Sequence, residues 1–450
     1  MQKRITAVAV LVLAVLMCAS VAGSARQGAA SITKPDPAAL NATNEILKNI
    51  SRLRGLEVKQ PVKSGFKTHD EIEQSVLRDL DETTSPEEFA ATGKTLILLG
   101  MIPKDFRLRE YVVKLLREQV AGFYEPKTRE FYLAAWLPVS EQKTVIAHEL
   151  MHALQDQHFN LRRFEKWPKG DSDAETAAHA LVEGEATIVM FQYAIEQEGG
   201  RLDVTRLPSI TDSLLEQGNA EDKAKYPVLA NAPTVLRESL QFPYVFGAGF
   251  VQAVLKNGSW QAVNRSYADL PASTEQIMHP EKYLNRDNPV QIELTDLTAS
   301  LGPDWKKADA DVNGEFGYRV LLAEFINKGA ARDAAAGWGG DRYALYEDGK
   351  TGALALAQFT TWDSARDARE FFDAYAERTE KRYKAARPAD AAAQPRRVYQ
   401  TSEGLAAIEL RGNDVVIIEG AVSREQLEHA FNQLWQSKKG PRMSANKAAN

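Results

Sequence analysis

The sequence predicts an α+β protein: a mainly helical domain with a small edge hairpin, followed by an α+β domain toward the C-terminus. Two observations carry that expectation. Helical patterns recur over roughly 69–120, 141–158, 172–198 and the stretch ended by Asn257 and Gly258, and segments open on helix-start signals such as "TSPEEF". After about residue 305 short strand-like runs take over: "RYALYED", "GALALAQFTTW", "RRVYQ", "GLAAIEL" and "DVVIIEG". Two amphipathic helical stretches, near 363–386 and 423–437, sit among them. A chain of 450 residues, 44% hydrophobic and 26% charged, has material for two or three domains and a sizeable core. The net charge of −6 gives no reason to expect a nucleic-acid partner.

The elements follow in order. Residues 1–25 read as an export signal: Lys3 and Arg4, an uncharged apolar run over 5–16, then small residues in "CASVAGSARQ", with cleavage after Ala22 or Ala25. An uncleaved anchor is the alternative, but the run is short for a span. Lipid attachment at Cys18 is disfavoured by Met17 before it. Cys18 is the only cysteine, so the processed chain forms no disulfide and offers no thiol ligand. The expected destination is the periplasm or the exterior, with no membrane span in the mature chain.

Residues 26–60 form a lead-in and an N-terminal segment, and 61–304 the first domain. Within it "GLEVKQPVKSGFKT" looks extended and 69–120 helical. "GFYEPKTREFYLAAW" holds two aromatic runs around "EPKT" and reads as a hairpin. Helices are expected over 141–158 and 172–198, then a polar excursion over 200–235. "FPYVFGAGFVQAVLKNGSW" reads as a buried helix ended by Asn257 and Gly258. "PASTEQIMHPEKYL" reads as a loop with a short helix. Residues 305–438 form the second domain, and 439–450 a disordered tail.

The chemistry concentrates in "TVIAHELMHALQDQHF". On a helix His148 and His152 fall about 40° apart, one turn apart on the same face, where two imidazoles can bind one Zn²⁺. Glu149 lies about 100° round from His148, flanking the metal, placed to take a proton from a water on it. Ile146, Leu150, Ala153 and Leu154 form the opposite, apolar face.

A catalytic zinc site needs a third protein ligand and one open position. The acidic candidates lie in "AETAAHALVEGEATIVM". Glu183 and Glu185 point roughly 200° apart on a helix, so only one reaches the metal. Glu183 shares a face with Glu175 and His179, whereas Glu185 shares its face with Ala178, Leu181, Ile188 and Val189. Geometry favours Glu183; Glu185 then reads as a partly buried acid paired with a base elsewhere. Asp156, one turn past His152, is either a partner for the second ring nitrogen of that histidine or a residue at the helix C-terminus bonding nearby backbone. His179 lies one turn before Glu183, near the metal or simply in the core.

These motifs resemble the gluzincin group of zinc metallopeptidases. "HELMH" is similar to the thermolysin-like motif, and "LVEGEA" to an "EG-x-A" pattern in which the glutamate before the glycine binds zinc. Across most of residues 45–440, "AHELMHALQDQHF", "ALVEGEAT" and "STEQIMHPEKY" resemble exported bacterial proteins classed provisionally as metallopeptidases. The gluzincin likeness itself covers about 110–285. It implies a zincin-like fold and one Zn²⁺ per chain on His148, His152 and Glu183. It further implies Glu149 as general base and a peptide or protein substrate. The interval between His152 and Glu183 is longer than in thermolysin-like enzymes, so "DQHFNLRRFEKWPKGDSD" must form a longer connection. Those enzymes supply a second oxyanion donor from a Tyr or His outside the zinc helices, and His279 and Tyr283 are the candidates here. The hairpin strand around 122–124 or 130–133 either lies above the cleft, pairing with an extended peptide, or is a purely structural hairpin. The competing readings are a zinc hydrolase acting on a non-peptide amide, such as a cell-wall component, and a zincin-fold scaffold that no longer cuts.

Overall fold

A computed structural model describes residues 37–441, apart from 120–121, 136–138, 166, 219–225 and 387–393. The expected leader with Cys18, and residues 442–450 of the expected tail, lie outside the described residues. The fold is α+β, with helices dominating the first part and a six-stranded sheet in the C-terminal region.

The first helices are α1 (Pro37–Arg54), α2 (His69–Thr83), α3 (Pro86–Leu99) and α4 (Leu108–Gln119), with β1 (Lys63–Lys67) after α1. Their starts are written locally. Thr68 with Glu71, and Ser85 with Glu88, form reciprocal capping boxes, and Pro86 occupies the first turn of α3. The expected hairpin is β2 (Gly122–Glu125) and β3 (Glu130–Ala134). β3 also pairs in parallel with β1, giving the order β1-β3-β2.

Next come α5 (Val139–Phe159), α6 (Arg162–Glu165) and α7 (Ser172–Gln197). Ile146, Leu150, Ala153 and Leu154 are fully buried, as the apolar face of α5 requires. Every residue of α7 from 172 to 190 is buried, the signature of a helix inside a large core. The excursion over 200–235 holds a short 3₁₀ turn, α8 (Ile210–Gly218) and α9 (Pro227–Ala230). α10 (Thr234–Lys256) starts earlier than the sequence suggested, runs through Pro243 and ends at Asn257. α11 (Trp260–Ala268), α12 (Thr274–Met278) and α13 (Pro280–Leu284) complete this part.

α7 and α10 approach unusually closely. A Cβ at Gly184 would lie 2.0 Å from the Gly247 carbonyl carbon, and one at Gly247 2.0 Å from Ala180 O. The glycine of "VEGEA" is therefore demanded by backbone contact.

The C-terminal region opens with β4 (Ile292–Glu293), α14 (Thr298–Leu301) and β5 (Trp305–Asp311), then α15 (Gly314–Ala323) and α16 (Lys328–Ala335). β6 (Trp338–Asp348), β7 (Leu354–Trp362) and α17 (Ala365–Tyr383) follow, then β8 (Arg396–Thr401), β9 (Gly404–Arg411), β10 (Asp414–Gly420), α18 (Arg424–Leu434) and β11 (Lys438–Lys439). The sheet order is β5-β6-β7-β10-β9-β8, antiparallel throughout. Alternation sorts its faces. Tyr343, Leu345, Val415 and Ile417 join the large core, while Ala344, Tyr346, Val416 and Ile418 pack under α18. Lys439, expected in the disordered tail, instead pairs with Ile292. Its backbone is claimed by β4, a long-range partner that local composition does not reveal. Among the described residues no helix is long and apolar enough to cross a membrane.

Candidate metal centre

α5 and α7 bring His148, His152 and Glu183 together, with one ligand atom from each lying within 4.8 Å of the others. His148 Nε2 is 3.0 Å and His152 Nε2 3.5 Å from Glu183 Oε2, and the two Nε2 atoms are 3.1 Å apart. All three side chains are buried, Glu183 completely. Asp171 caps the start of α7 by accepting from the Ala174 amide, which sets the helix that delivers Glu183.

Such a cluster is electrostatically strained in isolation. Burial presses Glu183 toward the neutral form, but the two imidazoles hold it ionised well below the usual carboxylate range. Burial also opposes charge on His152, yet the Glu183 carboxylate outweighs it and raises that imidazole. His148 goes the other way, lowered by burial. Glu183 Oε1 and His148 Nδ1 are buried and make no hydrogen bond to the described residues. Two imidazole nitrogens and one carboxylate, all sequestered, form a donor set that could hold a metal ion.

Glu149 flanks the cluster as the helical spacing requires. Its Oε2 accepts the Tyr124 backbone N–H at 3.0 Å, and burial pushes its carboxyl up to about 8. Tyr124 lies on β2, whose other edge pairs with β3. β3 is paired on both sides, so residues 130–133 offer no free edge for a peptide, and β2 is the strand beside Glu149.

The other candidate residues make these contacts. Glu185 faces away from the cluster and pairs with the buried Arg54 of α1, as the alternative reading held. Asp156 does not serve His152: it accepts Tyr124 Oη at 3.0 Å and the Leu161 amide at 2.9 Å. The partner of His152 Nδ1 is Gln155 Oε1, at 2.7 Å. His279, at the junction of α12 and α13, places Nε2 2.9 Å from Glu315 Oε1 and is not part of the three-ligand group. Tyr283 donates to Asp269 O at 2.8 Å. His179 is buried beside Phe164, where burial lowers it to about 4.

Two neighbours escaped the sequence reading. Tyr244 of α10 stacks on His148 with ring centroids 5.8 Å apart. Gln155 is three residues past His152, a spacing that signals a shared helical face.

Comparison with known families matches residues 302–430 to a domain of unknown function (DUF8575). Comparison with curated proteins finds no match. Among solved structures, a protein from Chloroflexus aurantiacus, described provisionally as a hydrolase with a novel fold, is similar at 16% identity. The similarity spans 63% of this chain and 97% of that one, with a TM-score of 0.35, too low to carry fold or activity across.

Proposed function

We propose that the protein is an exported zinc-dependent peptidase of the gluzincin type. One observation carries the reading: two imidazoles from one helix and a carboxylate from another converge on a single buried point, with Glu149 beside them. His148, His152 and Glu183 would hold the ion. When bound, it supplies Lewis acidity toward a water and a substrate carbonyl at its open position.

The chain's own groups do the rest. Glu149 takes a proton from the attacking water as the new C–O bond forms, then gives it to the departing amine nitrogen as C–N breaks. The β2 edge next to Glu149 suits an extended peptide, whose main chain can add as a further strand. The Tyr124 N–H holds the Glu149 carboxylate against that strand.

The test measures metal content and hydrolysis of mixed peptide substrates for the full chain, for Glu149→Gln, and after chelation. One zinc per chain is expected in both proteins. Turnover should fall about 10²–10⁴-fold in the variant and vanish on chelation. Equal turnover in all three preparations would remove the enzyme reading. Zinc bound by the wild type without any turnover would point to a scaffold.

A further inference from the structure

A metal-binding imidazole must present a bare nitrogen to the ion, and its other nitrogen decides which one that is. For His152 that other nitrogen is Nδ1, facing Gln155 Oε1. An amide can present either end, so the orientation of Gln155 must be read from what surrounds it. Its Nε2 faces three oxygens: Val182 O at 2.9 Å, Glu185 Oε2 at 2.8 Å and Tyr267 Oη at 2.9 Å. The Tyr267 proton is already committed to Glu185. Turned over, the amide would set oxygen against a carbonyl and a carboxylate in a site sealed from water. The NH₂ end therefore faces α7, the oxygen faces His152, and Nδ1 carries the proton.

Glu185 is the anchor of this arrangement. It is fully buried and accepts from Gln155, from Tyr267 and from Arg54 Nε. Arg54, the last residue of α1, is itself fully buried. Its second arm reaches Asn264 Oδ1 at 2.5 Å, and its guanidinium lies over the Trp260 ring at 4.3 Å. A planar fork held on several sides cannot be replaced by a point charge without losing contacts.

We propose that Arg54, Glu185 and Gln155 form a positioning relay for His152. The ion pair orients the amide, and the amide fixes the imidazole tautomer so that Nε2 is bare and aimed at Glu183 and His148. Metal sites commonly place a carboxylate directly behind a ligand histidine. Here the carboxylate acts through an interposed glutamine, and its charge is balanced by a residue of the N-terminal helix. The proposal rests on the metal-binding reading above. It assigns a role in metal affinity to residues that a purely structural account would use only to pin α1 against α7.

The experiment compares zinc affinity in the full-length chain by competition with a chromophoric chelator, and the ligand-field spectrum of the Co²⁺-substituted protein. Each measurement is paired with a melt of the chelated protein. Gln155→Met removes the acceptor, and Gln155→Asn shortens it by one methylene. Either is expected to weaken zinc binding about 10–100-fold and to alter the Co²⁺ spectrum, at a metal-free melting temperature within a few degrees of wild type. Arg54→Lys is expected to weaken binding by a smaller factor. Wild-type zinc affinity in whichever Gln155 variant folds overturns the relay while leaving the metal site standing. Wild-type affinity in Arg54→Lys, beside a loss in the Gln155 variants, removes Arg54 from it. A wild-type chain that binds no zinc overturns the metal reading and the relay together.

Discussion

Asp341 shows how a single buried carboxyl registers pH. Its oxygens accept from the Asn313 and Gly314 amides at 3.0 and 2.9 Å and from Trp338 Nε1 at 3.0 Å, yet burial pushes it up to about 6. A folded-state value above the unfolded one means that stability from this group is fully present below about pH 4 and is lost as pH rises through about 6. Asp341→Asn cannot titrate. The stability gap between wild type and variant is therefore expected to be about 1.4 kcal/mol larger at pH 5 than at pH 7. Denaturant melts of the chelated protein at both pH values measure it, and a gap that stays constant would disprove the assignment. At the same scale the sequence was legible wherever helical period alone decides. Glu183 and Glu185 point to opposite sides of α7, and the structure gives one to the histidines and the other to Arg54. It was illegible wherever a distant atom casts the deciding vote. Gln155 and Asp156 both follow His152 at helical spacing. Asp156 is taken by the Leu161 amide just past the helix end, the nearby-backbone alternative, and by Tyr124 Oη from the hairpin, which helical spacing does not announce.

Among the elements, the α7–α10 crossing has the least tolerance. Gly184→Ala would drive a methyl into the Gly247 backbone, which cannot rotate out of the way as a side chain can. The expected cost is about 3 kcal/mol, the upper part of the overpacking range. Because Gly184 follows Glu183 directly, zinc affinity should fall with it. Unchanged stability by denaturant melt would show that the two helices can separate freely. The long helices and the hairpin were readable because each carries its own period and its own caps. β5, α15 and α16 were not anticipated. β5 is the edge strand "WKKADAD", exposed at Lys306 and Lys307, so no apolar alternation marks it. α15 and α16 are short, and glycines stand at or near their starts: Gly314 at φ 70°, and Gly329 in the first turn of α16 behind the Asn327 cap. What holds them helical is packing of α15 against α10 and β6 and of α16 against α15 and α17, tertiary contacts that outweigh a weak local preference.

The molecule as a whole is knitted across the boundary near residue 302 at which the family match begins. One buried apolar cluster runs from Leu96 and Leu99 through Leu181 and Phe242 to Phe316, Leu356 and Phe371. Phe242 and Phe316 meet with centroids 4.2 Å apart. The polar contacts repeat the pattern. Arg378 of α17, fully buried, binds Glu419 at 2.7 Å and with its other arm caps the Leu99 carbonyl at the end of α3, at 2.5 Å. Arg382 reaches Ile97 O at 3.2 Å, and a side chain at Gly100 would collide with it. Arg378→Met would leave the buried Glu419 with Arg382, 3.4 Å away, as its remaining cation, a loss expected to cost about 3 kcal/mol, the lower end for a broken buried pair. If the core is shared, that loss should lower one common unfolding transition, seen equally by far-UV and tryptophan signals, rather than melting the sheet alone. A harsher version removes the sheet altogether. A fragment of residues 26–301 keeps every proposed metal ligand but exposes the faces of α3 and α10 that Phe316 and Arg378 cover. It is expected to show no cooperative melt and no stoichiometric zinc. A sharp transition with one bound zinc would mean that the core divides at the boundary after all, and that the C-terminal region is an accessory to a self-sufficient metal site.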